Sequence, residues 1–328
     1  MNKKQLLIAA VATVLSVSCA NATSTIDGFA NGSNGTFNID PAKINGDVGY
    51  RKYNNFTVGE GDVANLIFKY QNTKDINTFI NLVQNGVNVN GILNTMRDGN
   101  FYNGHAVFIS PNGLTVGASG VLNVGTLSVT TPTTSAYNKL LTEYAAGNYE
   151  NINNVSHLLN GTTNAGTISI DGKVFARNGV QLRGSDINVG ANGGILNGVN
   201  TTEAFSTQAR AAELFNTLVN TTGIQNASAF TQNGSNIQLK TASGAGGINI
   251  QGKVVNGAAI AGKKDSGLYI TNNGTKGTKI SGLVQSTNEL NVYNKAGELN
   301  IGGTVKNANA DLNISNKGGN MAIGGTLS

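Results

Sequence analysis

This sequence is almost without cysteine, tryptophan and histidine, and it is poor in proline and charge. Its 328 residues include one Cys, no Trp, two His, three Pro and only 12% charged residues. A single cysteine excludes a disulfide-stabilised scaffold, and two histidines argue against a His- or Cys-based metal site. The small net charge of +5 is dispersed, which argues against a nucleic-acid-binding surface.

Glycine and short apolar runs are what the sequence has in abundance. There are 44 Gly, and 39% of the residues are hydrophobic. Disordered chains lack the apolar surface that offsets the entropy of ordering, so this composition argues against disorder. Many glycines between short alternating apolar runs instead predict an all-β protein with frequent turns.

Residues 1–22 have the pattern of a secretory signal peptide. Lys3 and Lys4 form the charged start, residues 6–17 are an apolar run too short to span a bilayer, and a small-x-small cleavage site ends at Ala22. We expect cleavage after Ala22 and export of the mature chain.

Lipid attachment at Cys19 is the alternative, which is disfavoured because Ser16 stands where Leu is usual in lipoprotein signals. Cleavage after Ala22 would leave the mature chain without cysteine. It would also remove Lys3 and Lys4, which leaves 20 basic against 17 acidic residues and a net charge of +3.

The stretch 106–132, AVFISPNGLTVGASGVLNVGTLSVTTP, is the centre of the sequence pattern. Four apolar residues, 106–109, predict a strand buried on both faces, and residues 110–113 predict a sharp turn. Runs of three or four β-branched residues follow, with corners predicted at 117–120 and at Gly125. Short strands at tight corners predict coils of a β-helix.

The same stretch resembles the Asn-Pro-Asn-Gly-Ile motif of the two-partner secretion domain, found in filamentous haemagglutinins, large adhesins and secreted haemolysins. Two positions depart from it, since Ser replaces the first Asn and Leu replaces Ile. The flanking segments 54–68, 76–93 and 120–132 are similar to the family's blocks in the same order. The positions that match this secretion motif are Ser110, Pro111, Asn112, Gly113 and Leu114.

A second motif of the family, Asn-Pro-Asn-Leu, should lie near residues 71–75, where QNTKD does not match it. Because many members lack this motif, its absence bears on the subtype more than on the family. The resemblance covers residues 26–132, and beyond them it extends only to composition and repeat.

The resemblance implies a right-handed parallel β-helix, a single-stranded solenoid, with an N-terminal β cap over residues 26–53. It implies a secreted or cell-surface protein that crosses the periplasm and is recognised by a cognate outer-membrane β-barrel transporter with periplasmic recognition domains. The whole protein would then be an adhesin that contacts a host or bacterial cell surface. A cytolytic or contact-dependent toxin remains the alternative.

An internal repeat of 22 residues marks the end of the chain. LYITNNGTKGTKISGLV, LNVYNKAGELNIGGTV and LNISNKGGNMAIGGTL begin at Leu268, Leu290 and Leu312. One such period with Leu-x-Ile strands and glycine corners predicts one coil of a β-solenoid. The repeat aligns Ile270 with Val292 and Ile314, and it places Gly282, Thr304 and Thr326 at one corner.

Two segments have helical instead of alternating spacing, and they predict short amphipathic helical inserts near 136–160 and 202–220. The inserts either project as binding elements or pack against the solenoid wall, and packing is favoured. The apolar positions are Tyr137, Leu140, Leu141 and Tyr144 in the first and Ala211, Leu214, Phe215 and Leu218 in the second.

These patterns divide the chain into a signal peptide, a two-partner-secretion β-helix domain at 23–265 that carries both inserts, and continuing β-helix repeats at 266–328. Because the repeat continues to Ser328, we expect the chain to be the N-terminal part of a longer protein or a short relative of one.

No pattern predicts an enzyme, a cofactor or a metal. Residues 59–64 match a dinucleotide-binding fingerprint loosely, but a strand follows them where a helix is required. Both histidines, His105 and His157, lack ligand neighbours and are expected at the surface. Asp62 lies in a single Gly-Glu-Gly-Asp segment, whereas calcium loops of this kind occur as tandem arrays.

A polysaccharide-acting β-helix enzyme is the other functional class considered. Such an enzyme needs carboxylates at equivalent positions of neighbouring coils. We expect the acidic residues of the repeat region not to align in this way. They are Asp171, Asp186, Glu289, Glu298 and Asp311.

Overall fold

The computed structural model describes residues 23–29, 35–153, 165–199, 201–220, 236–257, 267–308 and 310–328. Strands make up 52% of the described residues and helices 12%. The predicted signal peptide, Cys19 and His157 lie outside the described residues, as does the end of the first predicted insert, residues 154–160.

The described residues form 31 strands and three helices. The strands are β1 (Thr25–Ile26), β2 (Thr36–Ile39), β3 (Lys43–Asn45), β4 (Val48–Tyr53), β5 (Phe56–Val58), β6 (Val63–Ile67), β7 (Lys69–Tyr70), β8 (Lys74–Asp75), β9 (Thr78–Val83), β10 (Val87–Val89), β11 (Ile92–Arg97), β12 (Asn100–Phe101), β13 (His105–Ile109), β14 (Leu114–Val116), β15 (Val121–Thr130), β16 (Thr167–Ile170), β17 (Lys173–Gly184), β18 (Asp186–Val189), β19 (Gly194–Asn197), β20 (Ile237–Thr241), β21 (Gly247–Ile250), β22 (Lys253–Asn256), β23 (Leu268–Asn272), β24 (Gly277–Ile280), β25 (Leu283–Ser286), β26 (Leu290–Asn294), β27 (Leu299–Ile301), β28 (Thr304–Asn307), β29 (Leu312–Asn316), β30 (Met321–Ile323) and β31 (Thr326–Leu327). The helices are α1 (Thr134–Ala146), α2 (Tyr149–Asn153) and α3 (Gln208–Asn220).

The strands stack in three long ladders. Ladder 1 is a ten-stranded sheet in the order β1-β5-β10-β14-β16-β18-β21-β24-β27-β30. Only β1 is antiparallel to its neighbour, and the other strands pair in parallel.

Ladders 2 and 3 belong to one nineteen-stranded sheet. Ladder 2 runs through β2, β6, β11, β15, β17, β19, β22, β25, β28 and β31. Ladder 3 runs through β4, β9, β13, β15, β17, β20, β23, β26 and β29. The long strands β15 and β17 join them, because the first part of each lies in ladder 2 and the second in ladder 3. This arrangement is compatible with an all-β solenoid.

Side chains that point inward from the three ladders form one continuous apolar core. Strands of ladder 1 such as FTV, VNV and LTV bury their first and third residues and expose the middle one. This alternation is the period of two expected for a strand with one buried face. Aromatic rings fill the core near the secretion motif, where Phe56 and Phe108 meet edge to face with centroids 5.6 Å apart.

The strand predicted at 106–109 is present as part of β13, but it is not buried on both faces throughout. Phe108 points into the core and Ile109 is covered from outside, whereas Val107 and the preceding His105 are partly exposed. The prediction was wrong for Val107 because an outward position is buried only where a helical insert covers it.

The predicted corner at Gly125 is the point where β15 passes from ladder 2 to ladder 3, and it does so without a break between two strands. The strand β15 continues through it, and the pairing with β17 shifts register between Val124 and Thr126. A Cβ added to Gly125 would lie 2.6 Å from the carbonyl oxygen of Asn103, so glycine is required here by close backbone approach.

The register of the last coils confirms one alignment of the repeat and corrects another. Ile270 pairs with Val292, and Val292 pairs with Ile314, as predicted. The corner differs, since Leu283 aligns with Thr304 and Thr326. The first of the three coils is one residue longer between ladders 3 and 1, because the offset to the next coil falls from 22 at the Asn272 pair to 21 at the Thr278 pair and returns to 22 at the Leu299 pair.

Both helical inserts pack against the outside of the sheets. The helix α1 begins after Thr133, whose side chain accepts a hydrogen bond from Ala136 N, and ends at Gly147 with φ +77°. It buries Tyr137 and Leu140 against β4, β9 and β13. Within the described residues, no helix has the length and apolar character needed to cross a bilayer.

Asparagine side chains stack in register inside the last coils. Asn272 Nδ2 donates to Asn294 Oδ1 at 2.8 Å, and Asn294 Nδ2 donates to Asn316 Oδ1 at 2.8 Å. Thr278 Oγ1 also donates to Asn294 Oδ1 at 2.9 Å. Since Asn294 is fully buried, its amide has no water to replace these partners.

We predict that Asn294→Ala lowers the free energy of unfolding by about 2–3 kcal/mol, because it leaves the buried Thr278 hydroxyl unpaired and removes one acceptor of the Asn272 amide. The measurement is urea unfolding of the mature chain. The matched control is Asn300→Ala, an exposed asparagine on a neighbouring strand, whose effect should stay within about 0.5 kcal/mol. Equal effects at both positions would contradict this account.

Candidate functional site

The predicted secretion motif lies at a corner between two ladders. The strand β13 brings the chain along ladder 3, residues 110–113 turn it, and β14 starts ladder 1 at Leu114. Leu114 is 1% exposed and belongs to the apolar core. The motif therefore couples a turn at the surface to a core residue directly after it.

The turn geometry depends on Pro111 and Gly113. Gly113 N donates to Ser110 O at 3.2 Å, which closes the four-residue turn. Gly113 has φ +90°, a conformation that favours glycine. A Cβ added at Gly113 would also lie 2.0 Å from the carbonyl oxygen of Thr167 in the next coil. Both requirements select glycine at this position.

Asn112 is the exposed residue of this turn. Pro111 and Ser110 are buried, and the Ser110 hydroxyl has no hydrogen-bond partner among the residues that the structure describes. The side chain of Asn112 points along the stack, where Nδ2 donates to Gln84 O of the preceding coil at 2.9 Å. The motif thus presents a single polar side chain on an otherwise buried turn.

Equivalent corners enclose the turn on both sides. Val87, which follows Gly86, pairs with Leu114, and Leu114 pairs with Ile168. The insert that carries α1 and α2 leaves the stacked coils after Thr131 and rejoins them at Ala165. The backbone N of Ala165 donates to Thr131 O at 2.9 Å. The insert consequently emerges at the corner one coil beyond the motif.

The segment where the second family motif was sought, QNTKD, contributes to a small hairpin. The strands β7 and β8 pair antiparallel, and Gln71 and Asn72 between them have φ +48° and +57°. Positive φ at both central residues is typical of a type I′ turn. Arg97 Nη1 lies 3.5 Å from a carboxylate oxygen of Asp75 at the base of this hairpin.

Sequence reasoning missed an extended strap, defined here as residues 201–208, that crosses the coils of ladder 2 on the outside. Asn94 pairs with it twice, since its Nδ2 donates to Phe205 O at 2.9 Å and its Oδ1 accepts from Phe205 N at 3.0 Å. Asn123 Nδ2 donates to Glu203 O at 3.0 Å. The asparagine side-chain amides therefore bind the backbone of the strap with the same kind of hydrogen bonds that a neighbouring strand would form.

A buried arginine anchors the start of the strap. Arg177 Nε donates to Thr201 O at 2.9 Å, and Nη1 donates to Asn123 Oδ1 at 2.6 Å. Burial lowers the pKa of Arg177 to about 9, which leaves the guanidinium charged at neutral pH. Its planar group lies 4.0 Å from the ring centroid of Phe101.

A sequence signal for these asparagines was present. An apolar-apolar-Asn pattern recurs 29 residues apart at 63–65, 92–94 and 121–123, and the structure places these segments in register. The 22-residue period of the last coils did not reveal it, because the early coils are longer.

One expectation about acidic residues was wrong. Glu289 and Asp311 precede Leu290 and Leu312, which pair, so the two carboxylates occupy equivalent positions on adjacent coils. Within the described part of the chain, no group of three or more His, Cys, Asp or Glu could hold a metal ion. The segment 59–64 leads into the strand β6, as expected.

No protein-family model matches the chain, and the curated proteins and solved structures contain no significant match. Function is therefore inferred from the residues and their geometry.

We predict that Gly113→Ala destabilises the protein by about 3 kcal/mol or more, since it combines an unfavourable φ with a backbone clash. The matched control is Gly61→Ala, because Gly61 has φ +85° but no atom within 4 Å of the added Cβ. Gly61→Ala should lower the free energy of unfolding by only about 1 kcal/mol. Thermal and urea unfolding measure both, and equal losses would contradict a role for the contact with Thr167.

His105, at the start of β13, is partly buried rather than at the surface. Its Nε2 lies 2.8 Å from Ser128 Oγ, and burial lowers the pKa of the imidazole. An unfolded histidine titrates near pH 6.5. The stabilising effect of the neutral ring is therefore present above about pH 6.5 and is lost as the pH falls towards the lower folded pKa.

We predict that an NMR titration places the His105 pKa below its ordinary value. His105→Gln should assign the signal and reduce the loss of stability on acidification below pH 6.5. An ordinary or raised His105 pKa would contradict the burial of the ring.

Proposed function

We propose that this chain is the secretion-targeting N-terminal domain of a filamentous haemagglutinin-like adhesin. In this proposal the signal peptide directs it to the periplasm, and a cognate outer-membrane β-barrel transporter with periplasmic recognition domains exports it. The secreted protein then mediates adhesion at the cell surface.

The proposed fold is a right-handed parallel β-helix with an N-terminal cap. Support comes from the three parallel ladders and from the antiparallel pairs at the N-terminal end, β1 with β5 and β3 with β4. An antiparallel cap closes a stack whose first coil would otherwise expose unpaired backbone groups.

The observation that carries the proposal is the secretion motif itself, in which a rigid and buried turn displays Asn112. Pro111 and Gly113 fix the backbone, so the position of the Asn112 side chain is determined before any partner binds. A partner that recognises this corner would meet one defined amide and pay little conformational entropy to order it.

The experiment measures secretion of the full chain by Gram-negative cells with and without a matched partner transporter. We predict that Asn112→Ala reduces release to the level seen without the transporter while synthesis is unchanged. Its effect on stability should be no more than about 1 kcal/mol, since one exposed hydrogen bond to Gln84 O is lost.

Asn85→Ala is the matched control. Asn85 is also exposed, lies at the preceding corner and donates one hydrogen bond to the coil before it, from Nδ2 to Asn55 Oδ1 at 3.0 Å. We expect this variant to be secreted like the parent chain. Release without a transporter, or equal loss in both variants, would count against recognition of the motif.

A further inference from the structure

A groove with a volume of about 530 Å³ lies on the outer face of ladder 3, beside the end of α2. Its size is within the range of about 300–1,000 Å³ that is typical of small-molecule sites. The insert covers the neighbouring outward positions of β4, β9 and β13, and the groove lies beside Asn153, the last residue of α2.

The floor of the groove is apolar and its walls are hydrogen-bonding. Ile80 and Val107 are directly paired outward residues of β9 and β13 and form the floor. Ser128 and Gln181 continue the same row on β15 and β17. The row therefore changes from apolar to polar over neighbouring strands, which are spaced by about 4.8 Å.

Arg183 supplies the charge of the groove. Its guanidinium has no hydrogen-bond or ion-pair partner among the described residues, although seven other ion pairs are formed. No carboxylate of the described residues lines the groove. Burial keeps the other basic residue, His105, neutral at pH 7 by lowering its pKa. The groove therefore presents one cation without a counter-ion.

These properties exclude several ligand classes. The strands beneath the groove are paired on both sides, so they offer no free backbone edge to a peptide. Among the described residues, no Phe or Tyr side chain lines the groove for base stacking, and a single cation suits one carboxylate better than a polyphosphate.

We propose that this groove binds an acidic saccharide through a carboxylate-bearing sugar unit. Arg183 pairs with the carboxylate, and Ser128 and Gln181 exchange hydrogen bonds with ring hydroxyls. Ile80 and Val107 contact the apolar face of the sugar ring. The site is independent of the secretion motif, because the turn at Asn112 does not line it.

The experiment is calorimetric titration of the purified mature chain with methyl glucuronide, methyl glucoside and acetate at neutral pH. Methyl glucuronide should bind about tenfold or more tightly than either the neutral sugar or acetate, because it alone carries both the carboxylate and the hydroxyls. Arg183→Gln should remove its advantage over methyl glucoside.

The matched control is Lys240→Gln. Lys240 pairs with Arg183 on the next strand and is exposed, but it does not line the groove. It removes the same charge one coil away and should leave binding unchanged. Circular dichroism checks that both variants keep the fold.

The proposal is overturned if methyl glucuronide shows no binding up to roughly 50 mM, or if it binds no better than the glucoside. Equal binding of acetate would overturn recognition of the hydroxyls. Equal weakening by both variants would show a general charge effect and not a site at Arg183.

Discussion

Parallel pairing of every coil with the next at a common register is the constraint on which the rest of this structure depends. Strands can stack at about 4.8 Å only if the corners between them also stack at that distance. At the corner between ladders 1 and 2, a Cβ on Gly282 would lie 2.0 Å from Gly252 O, and a Cβ on Gly303 would lie 2.1 Å from Gly282 O. Glycine is required there because the backbones touch.

The same stacking turns single polar residues into continuous ladders. Asn272 and Asn294 each donate to the next amide of the row, which ends at Asn316, so a buried polar row costs little once its members are in register. On ladder 2, the side-chain amides of Asn94 and Asn123 form additional hydrogen bonds to backbone carbonyl oxygens of the external strap. A stacked solenoid thus gains binding positions on its outer wall without interrupting the ladder.

Both outward-facing features of interest depend on where the inserts cover the wall. The insert that carries α1 and α2 leaves the sheet one coil beyond the secretion motif, and its residue Asn153 lines the groove at Arg183. The strap and α3 cover ladder 2 instead, where Phe175 and Phe215 meet with centroids 6.3 Å apart. The surroundings of the Asn112 corner and of the groove are therefore defined by the inserts as much as by the solenoid.

The sequence by itself determined the local elements of this protein. These elements depend on neighbours along the chain or on a regular period. They are the alternating apolar strands, the turn at Pro111 and Gly113, the helices around Leu140 and Phe215, and the alignment of Ile270 with Val292. Only the tertiary structure decided what depends on contacts across coils. Three features follow from register between segments about 20 to 100 residues apart. They are the continuous strand through Gly125, the longer coil that displaces the Gly282 corner, and the convergence of Arg183, Ser128 and Ile80 on one groove. Such register is set by how neighbouring coils of unequal length pack, and no local pattern records it.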